Sequence, residues 1–140
     1  MHRRLCEQLL AEEVAVANGG ALRRRLIDDV RLDATRALVA AEARGCPMLF
    51  AFDGTNYNAE PLGLSVIDPS SHEPLPAGEW PEGLCGGEHP SLHRPFACLR
   101  GLYEYHVHFS HLQDTWDLHR YALRFDVVVG HVLNRAGVPA

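Results

Sequence analysis

The segment 68–95 holds six of the nine prolines and four of the twelve glycines of this 140-residue chain. Proline lacks a backbone N–H and fixes φ, so a stretch this rich in proline is not the interior of a helix or of a central strand. Loops of this length in compact domains are usually functional or mobile. The segment therefore predicts a long ordered loop between two parts of the chain that carry regular structure.

The first part of the chain has the hydrophobic spacing of helices. Leucines and valines recur at near-helical intervals over residues 3–17, and Asn18, Gly19 and Gly20 then supply a stop. A second amphipathic segment covers residues 22–43 and is followed by Arg44 and Gly45. Two N-terminal helices are therefore predicted, which makes residues 1–45 a helical part.

Two short apolar runs beyond Cys46 have the length and the flanking residues of strands. The run 48–52 is bounded by Asp53 and Gly54, a strong turn pair, and the run 62–67 is bounded by Asp68 and a proline. We expect these runs to form two strands of a small antiparallel sheet.

The last part of the chain begins with aromatic and polar residues in alternation. Residues 96–109 therefore predict further strand structure, interrupted by Gly101. A final helix is expected from Thr115 or Asp117 to about Arg135, with Asp114 or Thr115 as its cap and Gly137 at its end. The whole chain is interpreted as a single α+β domain, residues 1–140, whose core is residues 46–140.

Composition excludes several classes of protein. The hydrophobic fraction of 46% and the net charge of −5 are typical of a soluble globular protein, and there is no basic stripe of the kind that nucleic-acid binders carry. No stretch approaches the ~20 apolar residues of a membrane-spanning helix. The four cysteines are irregularly spaced, unlike those of a secreted disulfide scaffold. We expect a cytoplasmic protein with reduced thiols and with neither nucleic acid nor a membrane as a partner.

The histidines point to a metal site, since five of the nine lie between His89 and His111. On a strand, alternate side chains share a face, so Glu104, His106 and His108 would point the same way, roughly 6 to 7 Å apart. Cys98 would add a thiolate from the neighbouring strand, across the turn at Gly101. Sulfur and imidazole ligands favour zinc over magnesium or calcium. The pattern predicts a zinc site formed by Cys98, Glu104, His106 and His108.

Several alternatives to this ligand set stay open. Glu104 either completes the shell as a ligand or acts as the base that handles a proton of a metal-bound water. His89, His93 and His111 are reserve ligands, and Asp114 lies just beyond them. The simplest alternative is that Glu104 and the histidines form the solvated face of an amphipathic strand, with Cys98 as a small buried hydrophobic residue.

The order Cys98, Glu104, His106, His108 resembles a bacterial family named for a predicted metal-binding Cys-Glu-His-His motif. The resemblance covers roughly residues 48–135 and is specific over residues 95–117. That family is associated with operons for ubiquitin-like modifiers, E1-like activating enzymes, E2-like conjugating proteins and JAB-type metalloproteases. The resemblance implies a zinc-binding component of a bacterial ubiquitin-like conjugation pathway, with a ubiquitin-like protein and E1-like or E2-like proteins as partners.

A second resemblance concerns the ubiquitin-conjugating E2 fold, which carries a His-Pro-Asn element shortly before a catalytic cysteine. Here His89 and Pro90 precede Cys98 after a predicted β-meander, and a helix follows. Two departures are Ser91 in place of the amide and the predicted strand directly after Cys98, where an E2 has a loop leading to a helix. This resemblance implies a thioester at Cys98.

Three functions therefore compete at the level of sequence. The first is a zinc-binding pathway component. The second is an enzyme, with Cys98 as a nucleophile in acyl transfer or Glu104 as a general base in metal-assisted hydrolysis. The third is a metal-free protein-interaction domain, for which the proline-rich loop with Trp80 is the candidate surface. The sequence does not decide whether the protein is an enzyme.

Overall fold

An antiparallel meander of four strands forms the centre of the protein, in the order β1-β2-β3-β4. A computed structural model describes residues 2–140. It contains three α-helices and four strands, which confirms the α+β class: α1 (Arg3–Asn18), β1 (Arg31–Asp33), β2 (Arg36–Ala43), β3 (Cys46–Asp53), β4 (Gly63–Ile67), α2 (Tyr103–His106) and α3 (Phe125–Ala136). Within the described residues, none of the helices has the length and apolar character needed to cross a bilayer.

The predicted first helix and the predicted strand pair are both confirmed. Helix α1 begins and ends within one residue of the predicted bounds. Strands β3 and β4 pair in antiparallel fashion, with Phe52 opposite Leu64 and Phe50 opposite Val66. The apolar runs and the Asp53–Gly54 pair were sufficient to predict this hairpin because both signals are local.

The predicted second helix over residues 22–43 is wrong. A short 3-10 helix (Ala21–Arg25) occupies its start, and β1 and β2 occupy the rest. Strand β2 lies between β1 and β3. Its consecutive residues Ala37 and Leu38 point to opposite faces of the sheet, and both are buried. Burial on both faces removes the polar alternation of a strand, and the alanines favour a helix by local propensity. Packing in the sheet overrides that propensity.

Helices α1 and α3 cover one face of the sheet and form the main core with it. The rings of Phe52 on β3 and Phe125 on α3 meet edge to face, with their centroids 6.1 Å apart. The core also contains buried aliphatic side chains from both helices and from β4: Leu10, Val14, Leu64, Val66, Val129, Val132 and Leu133. A second small cluster lies on the other face of the sheet and contains Leu38, Leu49, Ala51 and Ile67.

The start of the last helix differs from the prediction. A 3-10 turn (Trp116–Leu118) occupies the expected start, and α3 begins only at Phe125, so neither Asp114 nor Thr115 caps it. The backbone N–H of Phe125 donates instead to Oε1 of Glu13 on α1, at 2.9 Å. A carboxylate from a distant helix thus caps α3, and no local sequence pattern predicts such a cap. At the other end, Gly137 adopts φ +81° and ends the helix as expected.

Replacing Glu13 with alanine should lower the free energy of unfolding by about 2 kcal/mol, a value within the range measured for hydrogen bonds to charged groups. The Glu13 carboxylate is 11% exposed, accepts from Tyr57 Oη at 2.9 Å and pairs with Arg124 in addition to capping α3. Urea denaturation would measure the change. The matched control is Glu12→Ala, since Glu12 is exposed and, within the described part of the chain, its side chain hydrogen-bonds only to Gln8. Equal stabilities of the two variants would contradict the capping role.

The proline-rich segment 68–95 packs onto the domain. It contains one 3-10 turn (Ala77–Glu79) and two isolated bridges, which pair Pro74 with Ile67 and Glu88 with Pro95. Trp80 is 7% exposed and Leu84 is 1% exposed, and both belong to the main core. Trp80 is therefore a packing residue, which removes it from the interaction surface considered above.

Candidate functional site around Cys98

The segment from Cys98 onward does not form the predicted strand. A loop leads from Cys98 to Leu102, followed by the single turn of α2 and by a 3-10 turn (Phe109–His111). Gly101 turns the chain at φ +101°, where a Cβ atom would lie 3.0 Å from a methyl group of Val128. Since the segment is not extended, Glu104, His106 and His108 do not share a strand face, and this part of the prediction is wrong.

Glu104 is fully buried and ties α2 to the sheet. Its Oε1 accepts the backbone N–H of Leu64 at 2.9 Å, and its Oε2 accepts from Nη2 of Arg94 at 2.8 Å. The missing side chain of Gly63 leaves room for this carboxylate, because a Cβ there would lie 3.1 Å from Oε2. Burial raises the pKa of Glu104, and the bonds from Leu64 and Arg94 act in the opposite direction. The side chain also forms part of the wall of a cavity of about 640 Å³.

His106 uses both ring nitrogens in hydrogen bonds. The backbone N–H of Gly101 donates to Nε2 at 3.0 Å, so the ring proton lies on Nδ1 and is donated to the carbonyl oxygen of Asp114 at 2.8 Å. Burial is the main cause that lowers the pKa of His106, and the bond to Asp114 partly offsets it. The neutral ring thus joins the Gly101 turn to the loop at Asp114.

We expect acid to destabilise the protein through His106. Because the pKa of His106 is lowered in the folded protein, the neutral ring stabilises the fold fully above the ordinary histidine pKa of about 6.5. This contribution is lost as the pH falls through the lower, folded-state pKa. Protonation of Nε2 would also break the bond from Gly101. Urea denaturation from pH 7.5 to pH 5 should show a smaller loss of stability in His106→Gln than in the wild type. His131→Gln, on the exposed side of α3, is the control, and equal slopes in all three proteins would contradict this role.

The reserve ligands His89 and His93 lie in different surroundings. His89 is fully buried, and its Nδ1 accepts the backbone N–H groups of Ser91 and Leu92, both at 3.1 Å. Its Nε2 therefore carries the proton and donates to the carbonyl oxygen of Glu104 at 2.9 Å. His93 is exposed, and its Nδ1 lies 3.8 Å from the carboxylate of Glu88. His89 thus orders the loop before Cys98, while His93 stands on the surface.

Cys98 and His111 form a thiol–imidazole pair at the surface. Sγ of Cys98 lies 3.4 Å from Nε2 of His111, and the cysteine is exposed. The ring of His111 stacks on Tyr105, with centroids 4.0 Å apart and an interplanar angle of 11°. His108 lies next to it, with its ring centroid 5.5 Å from that of His111, and accepts the N–H of Ser110 at Nδ1. The structure therefore places a reserve histidine, His111, directly at the thiol.

Asp114 is the centre of a polar cluster that the sequence did not reveal. Its carboxylate accepts from Tyr105 Oη at 2.6 Å, from His119 Nε2 at 2.6 Å and from Arg100 Nε at 2.7 Å. These three donors, Tyr105 first, hold the pKa of Asp114 well below its usual range. The cluster depends on the path of the loop between α2 and α3, which local periodicity does not describe.

Two of the four predicted zinc ligands, Glu104 and His106, are held by other contacts in this arrangement. A metal would have to displace the bonds of Glu104 to Leu64 and Arg94 and one of the two bonds of His106. Within residues 2–140, no three histidine, cysteine, aspartate or glutamate side chains lie close enough together to hold one ion. Zinc binding by Cys98, Glu104, His106 and His108 stays a prediction.

A scan against protein-family models found no matching family, and a search of curated proteins found no match.

Proposed function

We propose that the protein is an E2-like acyl carrier of a ubiquitin-like conjugation pathway and that Cys98 forms the thioester. The observation that carries this proposal is the exposed Cys98 thiol, 3.4 Å from Nε2 of His111. Nucleophilic cysteines need an adjacent base and an open approach, and Cys98 has both. A ubiquitin-like protein with an activated C-terminus is the partner that this chemistry requires.

The pair can carry out acyl transfer between thiols. His111 Nε2 accepts the proton of the Cys98 thiol, and the thiolate attacks the carbonyl carbon of an incoming thioester. The new C–S bond forms at Cys98 as the old C–S bond breaks. The departing thiolate takes up the proton, so the histidine returns to its starting state and no redox partner is needed.

The order of elements supports the resemblance to E2 proteins. A helix and a four-stranded meander precede His89 and Pro90, and a loop leads from Cys98 to the short helix α2. The predicted strand after Cys98 was one of the two departures from the E2 pattern, and the structure replaces it with a loop and a helix. The remaining departure is Ser91, which lies exposed where the pattern has an amide.

A small thioester tests this proposal without knowledge of the natural partner. The protein would be incubated with a glycine-terminated peptide thioester of a small aliphatic thiol and then analysed by intact mass spectrometry and peptide mapping. We expect one acyl group, on Cys98, that hydroxylamine removes. Cys98→Ser should lose the labile adduct. Cys46→Ser is the matched control, because Cys46 is exposed and, among the described residues, its thiol hydrogen-bonds only to the carbonyl of Pro47. Equal labelling of Cys46 and Cys98 would contradict the proposal.

A zinc-binding role is the second candidate, because the same pair suits a metal. Two ligands of one tetrahedral zinc ion, at about 2.3 Å for sulfur and about 2.1 Å for nitrogen, stand roughly 3.6 Å apart. The Cys98–His111 separation is close to that value, and His108 lies beside His111. Metal content should be measured on protein purified without a metal column, for the wild type, His106→Ala/His108→Ala and His111→Ala. About one zinc in the wild type and none in the variants would favour the metal.

A further inference from the structure

The ring of His111 is partly exposed. It lies in a three-residue 3-10 turn (Phe109–His111). Phe109, the first residue of this turn, is 70% exposed, and Leu112, which follows the turn, is 61% exposed. The described contacts of its side chain are the thiol of Cys98, the stacked ring of Tyr105 and the tilted ring of His108. A side chain in such an exposed turn adopts one orientation only if a neighbour imposes it.

Tyr105 is suited to impose that orientation. It is 9% exposed, lies on α2 and presents its ring face to His111 at 4.0 Å. Its hydroxyl donates to Oδ2 of Asp114 at 2.6 Å. Since a planar ring has only two side-chain torsions, the packing of α2 and the bond at the hydroxyl together fix the plane of Tyr105.

Asp114 is itself anchored from two further directions. Arg100 donates to its Oδ2 at 2.7 Å, and His119 donates to its Oδ1 at 2.6 Å. Arg100 follows Cys98 by two residues, and His119 follows the 3-10 turn at Trp116–Leu118. A continuous path of contacts therefore runs from these anchors through Asp114, Tyr105 and His111 to the thiol.

We infer that Asp114 and Tyr105 are positioning residues, which hold the His111 ring against Cys98 and so set the reactivity of the thiol. The inference rests on the proposed function, since it concerns the same cysteine. Neither residue touches the acyl group in this scheme. Asp114 acts through the Tyr105 hydroxyl, and Tyr105 acts through the stacked rings.

The test combines a rate with a spectroscopic signature. The rate is that of iodoacetamide alkylation, followed site by site with mass spectrometry in the presence of chelator. Exposed Cys46 is the internal reference, and fully buried Cys6 reports any unfolding because it reacts only in an opened chain. The signature is the chemical shift of the His111 ring protons, which the stacked Tyr105 ring moves upfield. The variants are Tyr105→Phe, Tyr105→Leu, Asp114→Ala and the double variant Tyr105→Phe/Asp114→Ala.

We expect wild-type Cys98 to react about tenfold faster than Cys46. Tyr105→Leu should remove the upfield shift and bring Cys98 to within about threefold of Cys46. Tyr105→Phe and Asp114→Ala should each cause an intermediate loss. The double variant should react like Asp114→Ala alone, because Tyr105→Phe then removes a hydrogen bond that is already absent. Protection of Cys6 in every variant would show that the fold is kept.

Different results would overturn the two proposals separately. A wild-type Cys98 no faster than Cys46 would contradict the proposed function. If Cys98 is fast and His111→Gln slows it while Tyr105→Leu does not, the positioning role is wrong and the proposed function stands. Additive losses in the double variant would show that Asp114 does not act through the Tyr105 hydroxyl.

Discussion

Replacing His111 with glutamine should slow the alkylation of Cys98 by iodoacetamide at pH 7 at least about tenfold. Glutamine keeps a polar side chain of similar reach but cannot accept the thiol proton as imidazole does. The Nε2 atom of His111 is 3.4 Å from Sγ of Cys98 and is the one basic group within hydrogen-bond distance of that thiol among the described residues. The measurement is the pseudo-first-order rate at Cys98, obtained by mass spectrometry of digested samples.

Two internal comparisons make this result interpretable. The rate at Cys46 in the same molecule should not change, because within residues 2–140 its thiol hydrogen-bonds only to the Pro47 carbonyl. His93→Gln is the matched control, since His93 is an exposed histidine whose contact is with Glu88 rather than with a cysteine. An unchanged Cys98 rate in His111→Gln would show that the imidazole does not activate the thiol.

Glu104→Ala should lower the free energy of unfolding by about 3 kcal/mol, near the lower end of the range for removing one partner of a buried pair. The substitution leaves the Leu64 N–H and the Arg94 guanidinium without their acceptor. The lower end applies because the Arg94 side chain is 48% exposed and reaches water. For a domain of this size the thermal midpoint should fall by about 10 °C. Differential scanning calorimetry measures both quantities.

The same variant separates two roles of Glu104. Glu88→Ala is the control, since the Glu88 side chain is 71% exposed and its one ion pair among the described residues is with His93. The stability of this variant should stay within about 0.5 kcal/mol of the wild type. If Glu104 acts through a bound metal, chelator would lower the stability of the wild type to that of Glu104→Ala. If it acts through Leu64 and Arg94, the difference between the two proteins should be the same with and without chelator.

The parts of the fold that the sequence predicted correctly depend on local signals. Helix α1 follows from the spacing of its leucines and valines, and the β3–β4 hairpin follows from two apolar runs and the Asp53–Gly54 turn. Strand β2 and the start of α3 could not be predicted in this way. The buried alanines of β2 have the composition of a helix, and the cap of α3 comes from Glu13, more than a hundred residues away in the chain.

The candidate site was located by composition but not by geometry. The sequence singled out Cys98 and the histidine-rich segment after it, yet the spacing argument assumed a strand and so grouped Glu104 with His106 and His108. A single helical turn over these residues instead sends Glu104 toward Leu64 and leaves His111 at the thiol. A side chain at the Gly101 turn would crowd Val128 on α3, and no pattern within the segment encodes that proximity.

The cap that Glu13 provides for α3 links the two ends of the described chain in their dynamics. Local opening of α1 would withdraw the carboxylate from the Phe125 N–H, from Arg124 and from Tyr57 at the same time. Fraying of either helix therefore exposes polar groups of the other, and the two helices should open as one cooperative unit in hydrogen exchange. Segments that are far apart in sequence would then share one opening free energy, while the exposed turn at His111 opens independently of them.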